Sequence, residues 1–560
     1  MHLSERRHLY SLYVREAWRR AFRHLAARRF GVRYDGQPPE RLIVAPTDLR
    51  SVDPFVAEEI LEGRFPMAGR ELDTNGESPF YLELPSRFFA IRLHSFSWLR
   101  HIRADKTDMA CANARLIVDQ WISAHGRRIA GIAWDPDVVA QRIIAWLSHS
   151  PVVLQGAEGG FYRRFMRSLF SQVRYLRRVA ANSADGEVRF RVRIALAMAS
   201  VAMPSKTSAI RRAGRELDHE IERQILPDGG HISRNPRVAV DLLFDLLPLR
   251  QTYVNLGHDI PAKLISGIDR IYPALRFFRH QGGDLALFNG ATSTLAHELM
   301  SVLRYDESAG QPFKALPHVG YQRLSAKDVV VIADTGMPLS PDLSKTAHAG
   351  CLSFEFSSGK HRFVINSGSP KFASDSYRQT ARVTAAHSTV VLNETSSSRI
   401  SPSPFLGPIM ARGVSKVTAE RSLLSDGSDC LVASHDGYLA AFGLVHQREW
   451  RLSADGTRLS GRDCFVRADG TFPEESDTGE AVVRFHIHPL IDIVPTDVEN
   501  VLLRAPDGES WVFSAPGHVV DITSDIFFAD ASGIRASEQL EIAFSVGRTP
   551  EIHWELRRHR

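Results

Sequence analysis

The spacing of hydrophobic residues divides the chain into two parts. From about residue 103 to residue 280, apolar residues recur every three or four positions, as in "DVVAQRIIAWL" and "EVRFRVRIALAMASVAM". Short polar, glycine or proline breaks separate these stretches, so the pattern predicts a series of antiparallel helical hairpins. Such hairpins close either as an open solenoid or as a ring whose inner helices line a groove.

After about residue 310 the spacing of apolar residues changes to two. Segments such as "LSFEFSSGKHRFVINSG" and "GEAVVRFHIHPLIDIVP" alternate in polarity, and Asp-Gly and Ser-Gly turns separate them. This pattern is typical of an antiparallel β-sandwich. Helices followed by strands indicate two packed domains, not interleaved β-α-β units.

The amino-acid composition of the chain is that of an ordinary globular protein. The chain has 560 residues, of which 44% are hydrophobic and 24% charged, so it is long enough for two or three domains. The four cysteines (Cys111, Cys351, Cys430 and Cys464) are widely separated and form no CxxC pair. Their spacing therefore indicates neither a disulfide framework nor a thiolate zinc site.

The charge of the chain favours an anionic ligand. The net charge is +5, and nine of the 69 basic residues are lysine, which leaves 60 arginines. Guanidinium groups bind carboxylate and phosphate in a bidentate way that ammonium groups cannot. Zinc-finger, RNP-like and helix-turn-helix patterns are absent from the sequence, so we expect an anionic partner other than nucleic acid.

The first 33 residues carry nine arginines and two glutamates, with apolar residues between them. This composition predicts a basic amphipathic helix that lies on an anionic membrane surface or on the rest of the protein. The segment has no uninterrupted apolar region of the kind that secretory signals contain, and no stretch reaches transmembrane length. The sequence by itself thus predicts a cytoplasmic location or the cytoplasmic face of a membrane.

A short polar bend, "QILPDGGHISRNP", lies between two helical stretches at residues 224–236. The Pro-Asp-Gly-Gly sequence is sufficient for a turn. His231, Arg234 and Asn235 go beyond what a turn requires, and together they could bind a carboxylate. The alternative is an ordinary solvated loop, since loops collect polar residues as well as functional sites.

Four motifs in order resemble the heparinase II/III-like polysaccharide lyase superfamily. They are "QILPDGGH", "RFFRHQGGDLALFNG", "TAAHSTVVLNE" and "RFHIHP", and the resemblance covers roughly residues 100–550. It implies a basic N-terminal segment with lead-in helices (1–99), an (α/α) toroid (100–310) and a C-terminal antiparallel β-sandwich (311–560). It also implies cleavage of a uronate-containing acidic polysaccharide by β-elimination, usually outside the cytoplasm or in the cell envelope.

β-Elimination explains which side chains such a site needs. The C5 proton of a uronate becomes acidic only when donors such as Asn, His or Arg stabilise the enolate-like intermediate. A base then removes that proton, and an acid, often Tyr, protonates the leaving oxygen. The resemblance assigns a site role to His387, which matches the family's "HST" histidine, and we expect it to meet His231, Arg234 and Asn235 across a groove. The alternative for His387 is a structural histidine.

The chain departs from the family pattern at the tyrosine. Val238 occupies the apparent position of the family tyrosine, and Asn182, the nearest match to the family's upstream asparagine, has no histidine after it. Tyr253 or Tyr377 could supply the missing phenol. Either could equally be a buried tyrosine with a satisfied hydroxyl group.

Histidines in the sandwich half are candidate metal ligands. His446, Asp463 and the pair His486 and His488 would suit a structural Zn²⁺, which several family members carry. His-x-His on a strand places both rings on one face. The alternative is that these are histidines on strand faces with ordinary hydrogen bonds.

Two functions remain open from the sequence. The first is a lyase that cleaves an acidic polysaccharide. The second is a non-catalytic protein on the same fold, which binds acidic polysaccharide or assists cell-envelope assembly. Convergent His, Tyr and Asn side chains would favour the first, whereas an arginine-rich site without a phenol near His387 would favour the second.

Overall fold

The computed structural model describes residues 10–18, 20–22, 37–105, 107–308, 310–475 and 479–559. It confirms the predicted fold class, with helices first and antiparallel sheets afterwards. The chain divides into two compact units. We call them the helical unit (Met1–Gln224, Val240–Asp269 and His297–Asp306) and the sandwich unit (Ile225–Ala239, Arg270–Ala296 and Glu307–Arg560).

The α-helices of the described chain run in the following order. They are α1 (residues 10–18 and 20–22), α2 (Pro54–Leu61), α3 (Arg87–Ser95), α4 (Leu99–Asp105), α5 (Asp108–His125), α6 (Pro136–Ser148), α7 (Ser150–Leu154), α8 (Gly159–Val179), α9 (Glu187–Ala202), α10 (Thr207–Gln224), α11 (Pro236–Asn255), α12 (Leu264–Phe278), α13 (Ala296–Leu303), α14 (Asp375–Thr380) and α15 (Leu439–Phe442).

Helix α6 shows why the helical half folds as its sequence predicts. Asp135 caps its first turn by accepting a hydrogen bond from the backbone N–H of Asp137, and Pro136 begins the helix. Ile143 and Trp146 are fully buried, and burial of each large side chain contributes roughly 1.5–3 kcal/mol. Helix α6 packs against α9, and α9 packs against α10, so the predicted hairpins are present. In the described part of the chain, no helix is long and apolar enough to cross a membrane.

A small hairpin in the helical unit was not predicted. Strands β1 (Arg64–Met67) and β2 (Arg70–Asp73) pair through a two-residue turn in which Ala68 and Gly69 both have positive φ. That turn geometry suits the twist of a hairpin. Strands of four residues contain too few alternations for the sequence pattern to reveal them.

The remaining strands belong to the sandwich unit. They are β3 (Ala315–Leu316), β4 (Tyr321–Ala326), β5 (Val329–Asp334), β6 (Phe354–Ser358), β7 (His361–Ile365), β8 (Val390–Leu392), β9 (Ser398–Ile400), β10 (Met410–Gly413), β11 (Val417–Leu423), β12 (Asp429–His435), β13 (Leu444–Leu452), β14 (Arg458–Arg467), β15 (Glu480–Ile487), β16 (Asp492–Pro495), β17 (Asn500–Arg504), β18 (Ser510–Ser514), β19 (Asp521–Asp530), β20 (Gly533–Ser545) and β21 (Glu551–His559).

Two large antiparallel sheets form the sandwich. One has the order β11-β12-β13-β14-β21-β18-β17-β16, and the other β19-β20-β15-β7-β6-β5-β4-β3, with β8 paired to β15. Their facing sides share one core that includes Phe354, Trp450, Phe485 and Trp554. Every second residue of β13 is buried, as the period of two predicts.

The "LPDGG" turn is part of the sandwich unit and is fixed there by backbone hydrogen bonds. The carboxylate of Asp228 accepts hydrogen bonds from the backbone N–H groups of His318 and Val319, at 2.8 and 3.0 Å. Gly229 has φ +83°, and a Cβ atom at this position would lie 1.8 Å from the carbonyl oxygen of Arg270. Only glycine therefore fits this turn.

Replacement of Gly229 by alanine should strongly destabilise the sandwich unit. Left-handed φ alone costs an alanine about 1 kcal/mol, and here the clash with Arg270 adds to it. Gly470→Ala is the matched control, because Gly470 also has positive φ (+87°) but has no atom within 4 Å of the added Cβ. Urea unfolding should show a clearly larger loss for Gly229→Ala. Equal losses would mean that the turn can move away from Arg270.

Candidate functional site

The bend after the turn carries His231, which is buried. Its Nδ1 accepts a hydrogen bond from the backbone N–H of Ser233 at 3.1 Å and lies 2.8 Å from the Ser233 hydroxyl oxygen. A ring nitrogen that accepts from a backbone N–H carries no proton, so the proton of a neutral ring is on Nε2. His231 thus stabilises the bend itself.

Arg234 is the central residue of the bend. Its side chain is 9% exposed, and its guanidinium forms an ion pair with Asp334 at the end of β5. The same guanidinium donates to the carbonyl oxygens of Val319 (2.9 Å) and Met337 (3.1 Å). Burial opposes the positive charge, but Asp334 outweighs it and holds the pKa of Arg234 above its usual value. Each of its three nitrogens thus donates a hydrogen bond to the protein.

The backbone of Arg234 is strained, with φ +60°. A non-glycine residue in this region costs of order 1–3 kcal/mol and persists only when its surroundings fix it. The three hydrogen-bonding partners of the guanidinium supply that constraint.

Asn235 caps helix α11. Its Oδ1 accepts a hydrogen bond from the backbone N–H of Arg237 at 2.9 Å, as an N-cap side chain does. Its amide nitrogen remains directed towards Gly290, 3.7 Å from the position that a Cβ on that glycine would take. Asn235 therefore combines a structural oxygen with an amide donor at the site.

Asn289 and Tyr321 extend the network around Asp334. The amide nitrogen of Asn289 donates to Asp334 Oδ2 at 3.1 Å and to the Tyr321 hydroxyl oxygen at 2.7 Å. The Tyr321 hydroxyl in turn donates to the carbonyl oxygen of Arg234 at 2.7 Å. Each of these buried polar groups is paired, which is what a low-dielectric interior requires.

His387 lies at the start of the segment that leads into β8 and is 1% exposed. Its Nδ1 is 2.8 Å from the carbonyl oxygen of Val383, and its Nε2 is 3.1 Å from Nδ1 of His348. Burial lowers the pKa of His387 to about 4, although the Val383 carbonyl favours the protonated ring. Burial also lowers the pKa of His348 well below its usual value, as does the neighbouring ring. Both imidazoles are therefore neutral at pH 7.

The hydrogen bonds fix the tautomers of the two rings. A carbonyl oxygen only accepts, so Nδ1 of neutral His387 carries the proton and its Nε2 accepts from Nδ1 of His348. The remaining nitrogen of His348, Nε2, is then an unprotonated acceptor. It lies 3.7 Å from the Cβ position of Gly290, the same distance as the Asn235 amide nitrogen.

Side chains from the bend at residues 231–235 and from the His348–His387 pair both lie near Gly290. Asn235 comes from the bend and His348 carries the contact to His387, so an amide donor and an imidazole acceptor face one small space. Gly290 has φ +86°, and a Cβ atom there would lie 2.8 Å from the carbonyl oxygen of Thr346, nearer than either side chain, so only glycine fits beside this backbone. One donor and one acceptor suit a hydroxyl group, which accepts and donates, better than a carboxylate, which only accepts. Arg234, which we expected to neutralise a carboxylate, is engaged by Asp334.

The candidate tyrosines lie in two different helices. Tyr253 lies in α11, within the helical unit, and is 1% exposed; burial raises its pKa to about 12. Tyr377 lies in α14 of the sandwich unit, is 45% exposed, and its ring is 6.2 Å from that of Phe528. Val238, at the apparent position of the family tyrosine, is buried. A role for Tyr253 or Tyr377 in catalysis stays a prediction.

His446 and Asp463 are in contact in the sandwich core, and Arg448 binds the same carboxylate. Asp463 Oδ1 is 2.8 Å from His446 Nε2 and 2.6 Å from Nε of Arg448. Its Oδ2 accepts from Arg448 Nη2 and from the indole N–H of Trp554, at 3.0 and 2.9 Å. A buried guanidinium that binds both carboxylate oxygens disfavours a cation at the same place.

The other two candidate ligands have separate partners. His486 Nδ1 is 2.7 Å from Asp525 Oδ2, and His488 Nε2 is 3.3 Å from Arg362 Nη2. Among the described residues, no group of three or more His, Cys, Asp or Glu is arranged to hold a metal ion. The four residues do not form one ligand set, so the observed arrangement does not fit zinc. Zinc binding stays a prediction, which a measurement of the metal content of the purified protein would test.

Sequence reasoning missed His348, Asn289, Tyr321 and Asp334. Asn289 lies in the quoted motif "RFFRHQGGDLALFNG", and Asp334 ends the apolar run "VVVIAD", which was a usable signal. A carboxylate at the end of a fully buried strand requires a partner. His348, in "SKTAHAG", carries no such signal.

Arg234→Met should cost about 3–5 kcal/mol of unfolding free energy, since it leaves the carboxylate of Asp334 buried without its cation. Adding Asp334→Asn to this variant should recover part of the loss. The control is Arg451→Met, whose partner Asp426 is 48% exposed, and it should cost less than about 1 kcal/mol. Chemical denaturation measures all three variants. A loss for Arg234→Met no larger than the control would show that the pair is not structural.

Known proteins share both the sequence and the fold. The family model "Heparinase II/III-like, C-terminal" matches residues 308–555. FtsZ-localized protein C of Caulobacter vibrioides is 30% identical over 533 residues, which cover 92% of this chain and 90% of that protein. Among solved structures, heparinase III superposes with a TM-score of 0.71 at 13% identity, over 94% of this chain and 88% of that one.

A second structure, a mutant of the heparan sulfate lyase HepC from Pedobacter heparinus, superposes with a TM-score of 0.62 at 15% identity, over 97% of this chain and 89% of that one. These likenesses confirm the fold that the four motifs predict, a helical toroid followed by a β-sandwich. The chain belongs to the heparinase II/III-like superfamily, as a divergent member in the same family as FtsZ-localized protein C.

Proposed function

We propose that this protein assists cell-envelope assembly at the division site and binds acidic polysaccharide without cleaving it. The observation that supports this proposal most is the state of His387. The ring is buried, neutral, and hydrogen-bonded through both nitrogens to Val383 and His348. A general base must reach the proton that it removes.

The other lyase groups are similarly engaged. A carboxylate of the substrate needs a cation or several donors, yet Arg234 is neutralised by Asp334. The buried Val238 replaces the phenol that would protonate the leaving group. The amide of Asn235 and Nε2 of His348 still offer one donor and one acceptor, which suit a sugar hydroxyl group.

The place of action is inferred from the relative. FtsZ-localized protein C is named for its localisation with FtsZ, and it matches this chain along nearly its whole length. We extend that association to this protein as part of the proposal.

Helix α1 supports a position at an anionic membrane surface. Tyr10, Val14, Trp18 and Phe22 recur every four residues, and Tyr10 and Trp18 are 73% and 72% exposed. Exposed aromatic residues on a basic helix are typical of segments that lie in the lipid interface. This agrees with the membrane contact that the N-terminal sequence predicts.

A lyase that cleaves a uronate polymer is the second candidate. The observation that favours it is the convergence of the Asn235 amide and the neutral His348 ring near Gly290, since lyase chemistry needs an amide donor beside an unprotonated base. In that case His348, rather than His387, would be the residue closest to substrate.

Two assays on the purified chain separate these functions. β-Elimination produces an unsaturated uronate that absorbs ultraviolet light, so we would incubate the protein with heparan sulfate, hyaluronan and alginate, using heparinase III as positive control. We expect no absorbance above that of His387→Ala, together with salt-dependent binding to at least one polymer and co-sedimentation with FtsZ filaments.

Turnover that His387→Ala or His348→Ala lowers by about 10²-fold or more would establish the lyase instead. Absence of both FtsZ co-sedimentation and polymer binding would contradict the assembly proposal.

A further inference from the structure

We propose that the outer face of helix α8 is a docking surface for an anionic lipid bilayer. The surface, here called the α8 arginine face, consists of the outward residues of Gly159–Val179. Its arginines are Arg163, Arg164, Arg167, Arg174, Arg177 and Arg178. The inference concerns a different part of the chain from helix α1 and does not depend on its membrane contact.

The sequence of α8 contains six arginines and no acidic residue over 21 positions. Its apolar residues, which include Phe165, Leu169 and Leu176, are fully buried, so the helix is anchored to the helical unit by one face only. Arg163, Arg164 and Arg167 of the opposite face are exposed. A surface helix that serves only for solubility normally mixes both signs of charge.

Nearby carboxylates neutralise the face only in part. Arg164 forms an ion pair with Asp119 at 2.8 Å. The carboxylate of Glu216 attracts the Arg177 guanidinium. The same carboxylate forms ion pairs with Arg193 at 2.6 Å and with Arg212 at 3.0 Å, so it is shared among three arginines.

Arg163 and Arg167 have no ion pair with any carboxylate that the structure describes. They therefore offer two guanidinium groups to a partner.

The arrangement of charge within α8 weakens the helix by itself. Arg163 and Arg167 are four residues apart, and like charges at this spacing repel each other. An anionic partner would remove this repulsion, which gives a physical reason for this sequence.

The shape of the face favours a bilayer over a chain in a groove. A helix of 21 residues is about 31 Å long, and its arginines form a convex strip rather than a cleft. Arginines bind phosphate groups in a bidentate way, and lipid headgroups present phosphates across a plane. Phe170 is half-buried on the same face, and the Arg174 guanidinium lies 5.7 Å from its ring. This aromatic side chain could contact the lipid headgroup region beside the arginines.

Vesicle co-sedimentation of the full chain tests the inference. The vesicles are either pure phosphatidylcholine or phosphatidylcholine mixed with phosphatidylglycerol. The test variant is Arg163→Glu with Arg167→Glu, and the control, which has the same change of charge, is Arg548→Glu with Arg557→Glu, two exposed residues of the sandwich unit. A third variant, Trp18→Glu, addresses helix α1.

We expect wild-type binding to the anionic vesicles alone, weakened by salt, and about tenfold weaker binding for the α8 variant with little change for the control. The α8 variant should stay folded by circular dichroism, because both positions are exposed and the buried apolar face of α8 is unchanged. In the Trp18→Glu background, the Arg163→Glu and Arg167→Glu changes should again weaken vesicle binding about tenfold, because the α8 contact is separate from that of helix α1.

Equal binding of the α8 variant and the control would overturn the inference. So would binding of wild type to duplex DNA or to a uronate polymer that depends on Arg163 and Arg167 while anionic vesicles are not bound.

Discussion

The buried ion pair between Arg234 and Asp334 is the interaction on which the candidate site depends. It joins the bend after the "LPDGG" turn to the end of β5, and it holds Arg234 in a left-handed backbone conformation that would otherwise be unfavourable. Asn289 and Tyr321 bind the same carboxylate or the same backbone segment, so the bend and the sheet form one polar network. Removal of either charge would leave the other buried without a partner, so loss of one residue lowers the unfolding free energy more than loss of both.

This network also limits the chemistry of the site. A guanidinium that neutralises a buried aspartate is not available to a substrate carboxylate, and an imidazole with both nitrogens bonded is a poor base. The fold resembles that of heparinase III, and His387 is hydrogen-bonded to the Val383 carbonyl and to His348. The amide nitrogen of Asn235 and Nε2 of His348 both lie 3.7 Å from the Cβ position of Gly290. Arginine thus serves two separate purposes in this chain, as a buried paired cation at Arg234 and as an exposed charge on α8.

The sequence predicted whole elements better than contacts. The period of two in "LVHQREWRL" predicts which side of β13 faces the core, and the structure places His446 and Arg448 there. It could not show that Arg448 would take the carboxylate of Asp463, because residue types that bind zinc also form ion pairs. Arg234 and Asp334 are 100 residues apart, and His348 and His387 are 39 apart, so no local spacing connects them. The four-residue strands β1 and β2 escaped prediction because they are too short to show a period.

The ionisation of His387 is the most direct measure of this account. Histidine labelled at the ring Cε1 carbon, with the signal assigned by comparison with His387→Gln, can be followed by NMR as pH is lowered. The structure predicts that His387 stays neutral at pH 7 and titrates only near pH 4, because burial disfavours the charged ring. A His387 signal that titrates near the ordinary histidine value of about 6.5 would mean that the ring is accessible and can act as a base, which contradicts the closed, structural site described here.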